Sequence, residues 1–119
     1  MLMFLSKLYK RQVERVKPLD GEPVEVQIMG GGSIDILNAF DISINGIGVK
    51  LPAYFSVGDV RREVSLIISL PHSKPFAAKG ILRHVTEGDC FGVEFTSITK
   101  PALGKIQHYI SEVMNLAVA

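Results

Sequence analysis

Residues 24–32 read Val-Glu-Val-Gln-Ile-Met-Gly-Gly-Gly, and this stretch decides the fold. Val24, Val26 and Ile28 alternate with Glu25 and Gln27, the two-residue period of a strand with one buried face, and the glycine run supplies a turn. Working outward, a second strand is expected over Ser33 to Ile42. Leu37 interrupts its alternation, which implies either a bulge or a residue buried from the other side. Ile47, Val49 and Leu51 mark a third strand, and Pro52 to Asp59 a loop. Val64, Leu66, Ile68 and Leu70 restore the period until Pro71. Phe76 to Val85 and Phe91 to Phe95 then form a final hairpin across Glu87-Gly88-Asp89, with Phe91, Val93 and Phe95 on one face.

The tail changes period. Leu103, Ile106, Ile110, Val113, Met114 and Ala117 recur at spacings of three and four, which predicts an amphipathic helix. Thr99 is placed to cap it, and Pro101 stands in the first turn, where proline is tolerated. The sum is six short antiparallel strands and one helix: a mainly β protein, a small closed or nearly closed barrel plugged or flanked by the helix.

Composition narrows the function. The chain has 119 residues, 47% hydrophobic and 21% charged, enough for one domain with its own core. Thirteen basic against 12 acidic residues leave a net charge of +1, which argues against a protein that coats nucleic-acid backbone. Cys90 is the only cysteine, so no intramolecular disulfide forms and a reducing, cytoplasmic setting is the simpler expectation. Residues 1–9 form a separate apolar segment. Leu2, Leu5, Leu8 and Tyr9 interleave with Lys7, Lys10 and Arg11, a short amphipathic pattern that either packs on its own domain or touches a membrane or partner.

Two motifs carry chemistry. Arg11-Gln12-Val13-Glu14-Arg15 sets two arginines four apart ahead of the first strand, preceded by Lys10. Asp41-Ile42-Ser43-Ile44-Asn45-Gly46 lies at the corner between the second and third strands. Each alone has an ordinary explanation, a solvated basic face or a turn. Their combination, RxxxR before a six-strand pattern and DxSxxG at its second corner, resembles the PilZ family, and the likeness extends from Lys10 through the helix, including Phe91-Gly92-Val93-Glu94-Phe95.

That resemblance implies residues 10–119 as one PilZ domain: a six-stranded antiparallel β-barrel with a C-terminal helix and a flexible N-terminal arginine loop that folds over cyclic di-GMP (c-di-GMP). It implies a non-enzymatic receptor with no cofactor, acting on a downstream protein partner, and a site comprising Lys10, Arg11, Arg15, Asp41, Ser43 and Gly46. Lys10 stands where family members vary and where the residue influences whether one ligand or an intercalated pair is bound.

The residue chemistry agrees. Arginine presents a planar fork of donors that matches guanine O6 and N7 and also phosphate oxygens. Carboxylate only accepts, so Asp41 suits the guanine N1–H and N2–H₂ donors. Ser43 is able to donate to a phosphate or accept from the ligand, and Gly46 lets a planar base approach the backbone.

Other chemistries find less support. His72, His84 and His108 are scattered without metal-ligand spacing, and no metal or catalytic residue is assigned. Gly46-Ile47-Gly48 and Gly30-Gly31-Gly32 lack the rest of a dinucleotide or phosphate-loop fingerprint and read as turn glycines. Ser43 has no GxSxG setting, and Cys90 reads as a small core residue. Single-stranded nucleic-acid binding would need exposed aromatics among basic residues, whereas Phe91 and Phe95 fall on the core face.

Overall fold

The computed structural model describes residues 14–30, 33–50, 61–84 and 90–118. Six strands, β1 (Glu25–Gly30), β2 (Ser33–Ile42), β3 (Gly46–Lys50), β4 (Glu63–Ser69), β5 (Phe76–His84) and β6 (Cys90–Ile98), precede one helix, α1 (Lys100–Val118). The strands close into a barrel in the order β1-β2-β3-β6-β5-β4, every pair antiparallel. Closure removes the free strand edges through which open sheets aggregate.

The alternation read from the sequence is the inside-outside alternation of the barrel wall. Val26, Ile28, Val64, Leu66, Ile68, Leu82 and Val93 point inward and are almost completely buried. Glu25, Glu63, Lys79 and Arg83, at intervening positions, are exposed. Phe91 and Val93 are buried and Phe95 packs on the same core, as the final strand predicts. That strand runs on to Ile98, beyond the Phe95 expected, because β5 continues to pair with it after a register shift at Lys79/Gly80. Leu51, Val85 and the loops read at Pro52–Asp59 and Glu87–Asp89 lie outside the described residues.

In β2 both alternatives raised by Leu37 occur. Leu37 is a residue buried from the other side: it faces inward with Asp35 and Ala39, while Ile34 and Ile36 face outward, each about 60% exposed. The irregularity lies further on. Ala39 pairs with Val49 but Asp41 pairs with Gly48, so β2 carries one residue more than β3 between these pairs. The bulge shifts the parity. Without it Asp41 would continue the inward set 35, 37, 39; with it, Ile42 is the fully buried residue, and Asp41 sits outside.

Helix α1 closes one end of the barrel. Ala102, Ile106, Tyr109, Ile110 and Val113 are buried, and the last four belong to the same core as the strands. The buried stripe is rotated from the one read in the sequence: Leu103 is only half-buried and Met114 is 38% exposed, while Ala102 and Tyr109 take the inward places. Both stripes share a helical period, so the choice is made by the barrel mouth that the helix must fit. Thr99 caps it as expected, its hydroxyl accepting from the Ala102 amide at 3.3 Å. Among the described residues no helix is long and apolar enough to cross a membrane.

Because Ile106 is fully buried where the helix meets the strands, Ile106→Ala should lower unfolding stability by about 2–5 kcal/mol. Urea denaturation would show this as a lower midpoint; an unchanged midpoint would mean that the helix does not seal the core.

Candidate functional site

The bulge in β2 is the starting point of the site. It brings both Phe40 and Asp41 to the outer surface over Gly48, the residue across from Asp41 on β3. A Cβ built on Gly48 would stand 2.6 Å from Asp41 Oδ1 and 2.7 Å from the end of the Phe40 ring. Gly48 is therefore the seat of the Asp41 carboxylate, and any side chain there would displace it.

Arg15 is delivered to this point by the chain ahead of β1. Val16 pairs with Ile42 as an isolated bridge, its amide donating to the Ile42 carbonyl and the Ile42 amide donating back, both at 3.0 Å. Val16 is buried in the core, so its neighbour Arg15 is turned outward. Arg15 Nη1 donates to Asp41 Oδ1 at 3.0 Å, joining the two motifs across 26 residues. The arginine side chain is 55% exposed and the carboxylate 18%, so Asp41 is the recessed and fixed partner.

Ser43 and Gly46 shape the corner. Ser43 is fully buried; its amide donates to the Gly46 carbonyl at 2.8 Å, and its hydroxyl accepts from the Asn45 amide at 3.1 Å. The hydroxyl thus holds the turn that separates Asp41 from β3. Gly46 lies against β6, where an added Cβ would collide with the Val93 carbonyl oxygen. Both Gly46 and Gly48 lie within β3, which corrects their reading as turn glycines: they are required by close approach, one of a neighbouring strand and one of a carboxylate. Lys10 and Arg11 lie outside the described residues.

Beside this corner runs an open groove of about 530 Å³, within the usual size of small-molecule sites. Arg15 forms one wall, Asn45, Gly46 and Gly92 line the middle, and Arg83 and Glu94 stand opposite. Arg83 was not singled out by sequence motif, and Glu94 only as a member of the Phe91–Phe95 stretch, with no site role. They become visible only when β5 and β6 are in register, because Arg83 pairs with Gly92 and Ile81 with Glu94, which makes the two side chains diagonal neighbours on the outer face. Arg83 Nη2 donates to Glu94 Oε1 at 2.8 Å.

The remaining polar features lie elsewhere. A cleft of about 220 Å³ separates α1 from the barrel, and Tyr109, whose hydroxyl is buried without a hydrogen-bond partner among the described residues, lines it. Burial, and secondarily the negative charge of Glu22, push the Tyr109 phenol above its ordinary pKa. His72 faces Glu22 at 3.8 Å and His108 faces Glu112 at 3.0 Å, both on the surface. Among the described residues no three groups are placed to hold a metal. Cys90 is half-buried at the start of β6, less enclosed than the core position expected of it.

This geometry agrees with the family comparison. The PilZ domain family model matches residues 10–112, and the chain belongs to that family. Solved structures with the same fold include the inhibitor of motility MotI/DgrA of Bacillus subtilis, at 21% identity and a TM-score of 0.72, covering 88% of this chain and 52% of that one. The PilZ domain of YcgR from Escherichia coli with c-di-GMP aligns at 14% identity and a TM-score of 0.70, covering 91% of this chain and 94% of that one. PlzA of Borreliella burgdorferi in complex with c-di-GMP aligns at 18% identity and a TM-score of 0.59, covering 91% and 45% respectively. The chain therefore spans about half the length of the B. subtilis protein. No curated protein matches it by sequence.

The Val93 carbonyl leaves no room beside Gly46, so Gly46→Ala should cost about 1–3 kcal/mol by forcing β3 from β6. Thermal melting would register the loss, and a variant that melts with the wild type would show that the two strands separate without cost.

Proposed function

We propose that this PilZ domain is a non-enzymatic cytoplasmic receptor for c-di-GMP, with the groove beside the Arg15–Asp41 pair as its site and ordering of the N-terminal arginine segment as its output. The observation that carries the reading is the meeting of the two motifs. A donor fork and an acceptor-only carboxylate stand in contact at the edge of a groove floored by glycines, and these are the two complements that a guanine nucleotide requires. The c-di-GMP complexes of YcgR and PlzA, which share the fold, support the same ligand.

The residues divide the work by their exposure. Asp41, recessed over Gly48, accepts from the guanine N1–H and N2–H₂ groups, an edge that adenine does not present. Arg15, half in water, is held by an ion pair of the kind worth about 0–1 kcal/mol. A ligand phosphate or guanine O6 and N7 can therefore take over its fork at little cost. Ser43 fixes the corner and Gly46 keeps it thin. Lys10 and Arg11 complete the clamp from the chain ahead of Arg15, with Lys10 influencing whether one nucleotide or an intercalated pair is held. Closing of that segment over the ligand changes the surface offered to a downstream protein, which is how occupancy is relayed.

A second reading is a PilZ-fold adaptor that docks on a protein without nucleotide. Leu116 near the end of α1 and Ile34 and Ile36 on the outside of β2 are each about 60% exposed, and they favour a protein contact by one of these surfaces. Binding of a partner that is indifferent to c-di-GMP and to replacement of Arg15 would select this reading.

Isothermal titration with c-di-GMP tests the first. Wild-type protein should bind, and Arg15→Ala or Asp41→Ala should weaken binding by about tenfold to a hundredfold, the value of one good bidentate base contact. At a ligand concentration one hundred times Kd the wild type should gain about 2.7 kcal/mol of stability. Absence of both heat and thermal shift at high micromolar ligand would sink the receptor reading.

A further inference from the structure

The groove has two charged walls, and the motifs account for only one of them. The other is the Arg83–Glu94 pair on β5 and β6. Each side chain is 53% exposed, so the pair sits largely in water and adds little to the fold. The register it spans is already set by the backbone pairing of β5 with β6 from His84 and Phe91 to Ala78 and Ile98. A guanidinium facing the same groove as Arg15 has a different use.

On the barrel wall β2, β3, β6 and β5 are consecutive, so Asp41 on β2 and Arg83 on β5 stand roughly 14 Å apart along the sheet at ordinary strand spacing. The row between them is Gly48, covered by Asp41 and Phe40, and then Gly92, which together with Gly46 lines the groove and offers no side chain to obstruct a flat ligand. A cyclic dinucleotide that places one guanine on Asp41 must lay the rest of its body across this floor, and its two phosphates carry negative charge toward whatever lines the far side.

The geometry points to Arg83 as a third guanidinium of the site, donating to a phosphate of the ligand, with Glu94 as an anionic brake that occupies its fork until the ligand arrives. This inference rests on the c-di-GMP reading of the groove. Carboxylate and phosphate compete for one donor fork, so the pair cannot serve both at once. Glu94 also repels an anion at short range whether or not it still holds Arg83. The alternative use of Glu94, to read a second guanine edge as Asp41 reads the first, is disfavoured by its setting. Asp41 is 18% exposed and seated over Gly48, whereas Glu94 is 53% exposed on a longer side chain that would have to leave Arg83, be desolvated and be fixed anew.

Titration of c-di-GMP into the full chain tests this with four proteins: wild type, Arg15→Ala, Arg83→Ala and Glu94→Gln. Arg83→Ala should weaken binding by about tenfold, the loss of a charge-assisted contact. Glu94→Gln should tighten it by about threefold, since it releases an exposed ion pair and removes a like charge. Opposite signs from the two halves of one ion pair are the signature, because loss of a strand staple would move both variants the same way. Melting temperatures near that of the wild type for both would confirm that the barrel is intact.

Wild type and Arg15→Ala separate the inference from its foundation. If the wild type does not bind, the receptor reading fails and the role of Arg83 fails with it. If the wild type binds and Arg15→Ala binds far more weakly, but Arg83→Ala and Glu94→Gln stay within about twofold of wild type, the inference alone is overturned. A Glu94→Gln variant that binds more weakly overturns it as well, by making that carboxylate a base reader.

Discussion

The extra residue between Ala39 and Asp41 is the constraint on which the site depends. β2 must bury Ala39 on one side of it and Ile42 on the other, and a strand of strict two-residue period cannot put both inside. The bulge resolves this by spending Phe40 and Asp41 together on the outer surface. The same shift allows Ile42 to pair with Val16, which draws Arg15 to the carboxylate, and it leads the chain into the Ser43 turn. Core packing and site geometry are here one problem with one solution.

Much of the fold could be read from the sequence because a barrel wall writes its two faces into alternate residues. Val24 to Ile28 and Val64 to Leu70 are unambiguous for that reason, and Thr99 announces the helix by its capping chemistry. β2 was harder. Ile34 and Ile36 look like core and face water, while Asp35 looks like surface and is buried. Hydrophobicity alone assigns those residues to the wrong faces, and only the pairing with β1 and β3 settles them. The helix stripe fails more mildly, since Leu103 and Ala102 differ in burial through a rotation that depends on the barrel mouth.

The site divides along the same line. Asp41, Ser43, Gly46 and Arg15 were visible as a spaced motif, and the structure brings Arg15 and Asp41 into contact and uses Ser43 and Gly46 to build the corner. Gly48 was visible but misread, because a glycine beside a turn and a glycine beneath a carboxylate are identical in one dimension. Arg83 carried no local signal, and Glu94 stood in the Phe91-Gly92-Val93-Glu94-Phe95 stretch without any sign of a site role. Their nearness is a product of register between strands, information that a single sequence carries only through every contact at once.

The Val16–Ile42 bridge carries a consequence for entropy. Because Val16 is buried in the core and held by two backbone hydrogen bonds of 3.0 Å, the backbone beside Arg15 is placed by the barrel itself. Ordering one residue's backbone costs roughly 1–2 kcal/mol, and here that cost is met when the barrel folds. Only the side-chain rotamers of Arg15 are left to be chosen at the surface, so the bridge pre-organises the Arg15–Asp41 contact without itself touching either charged group.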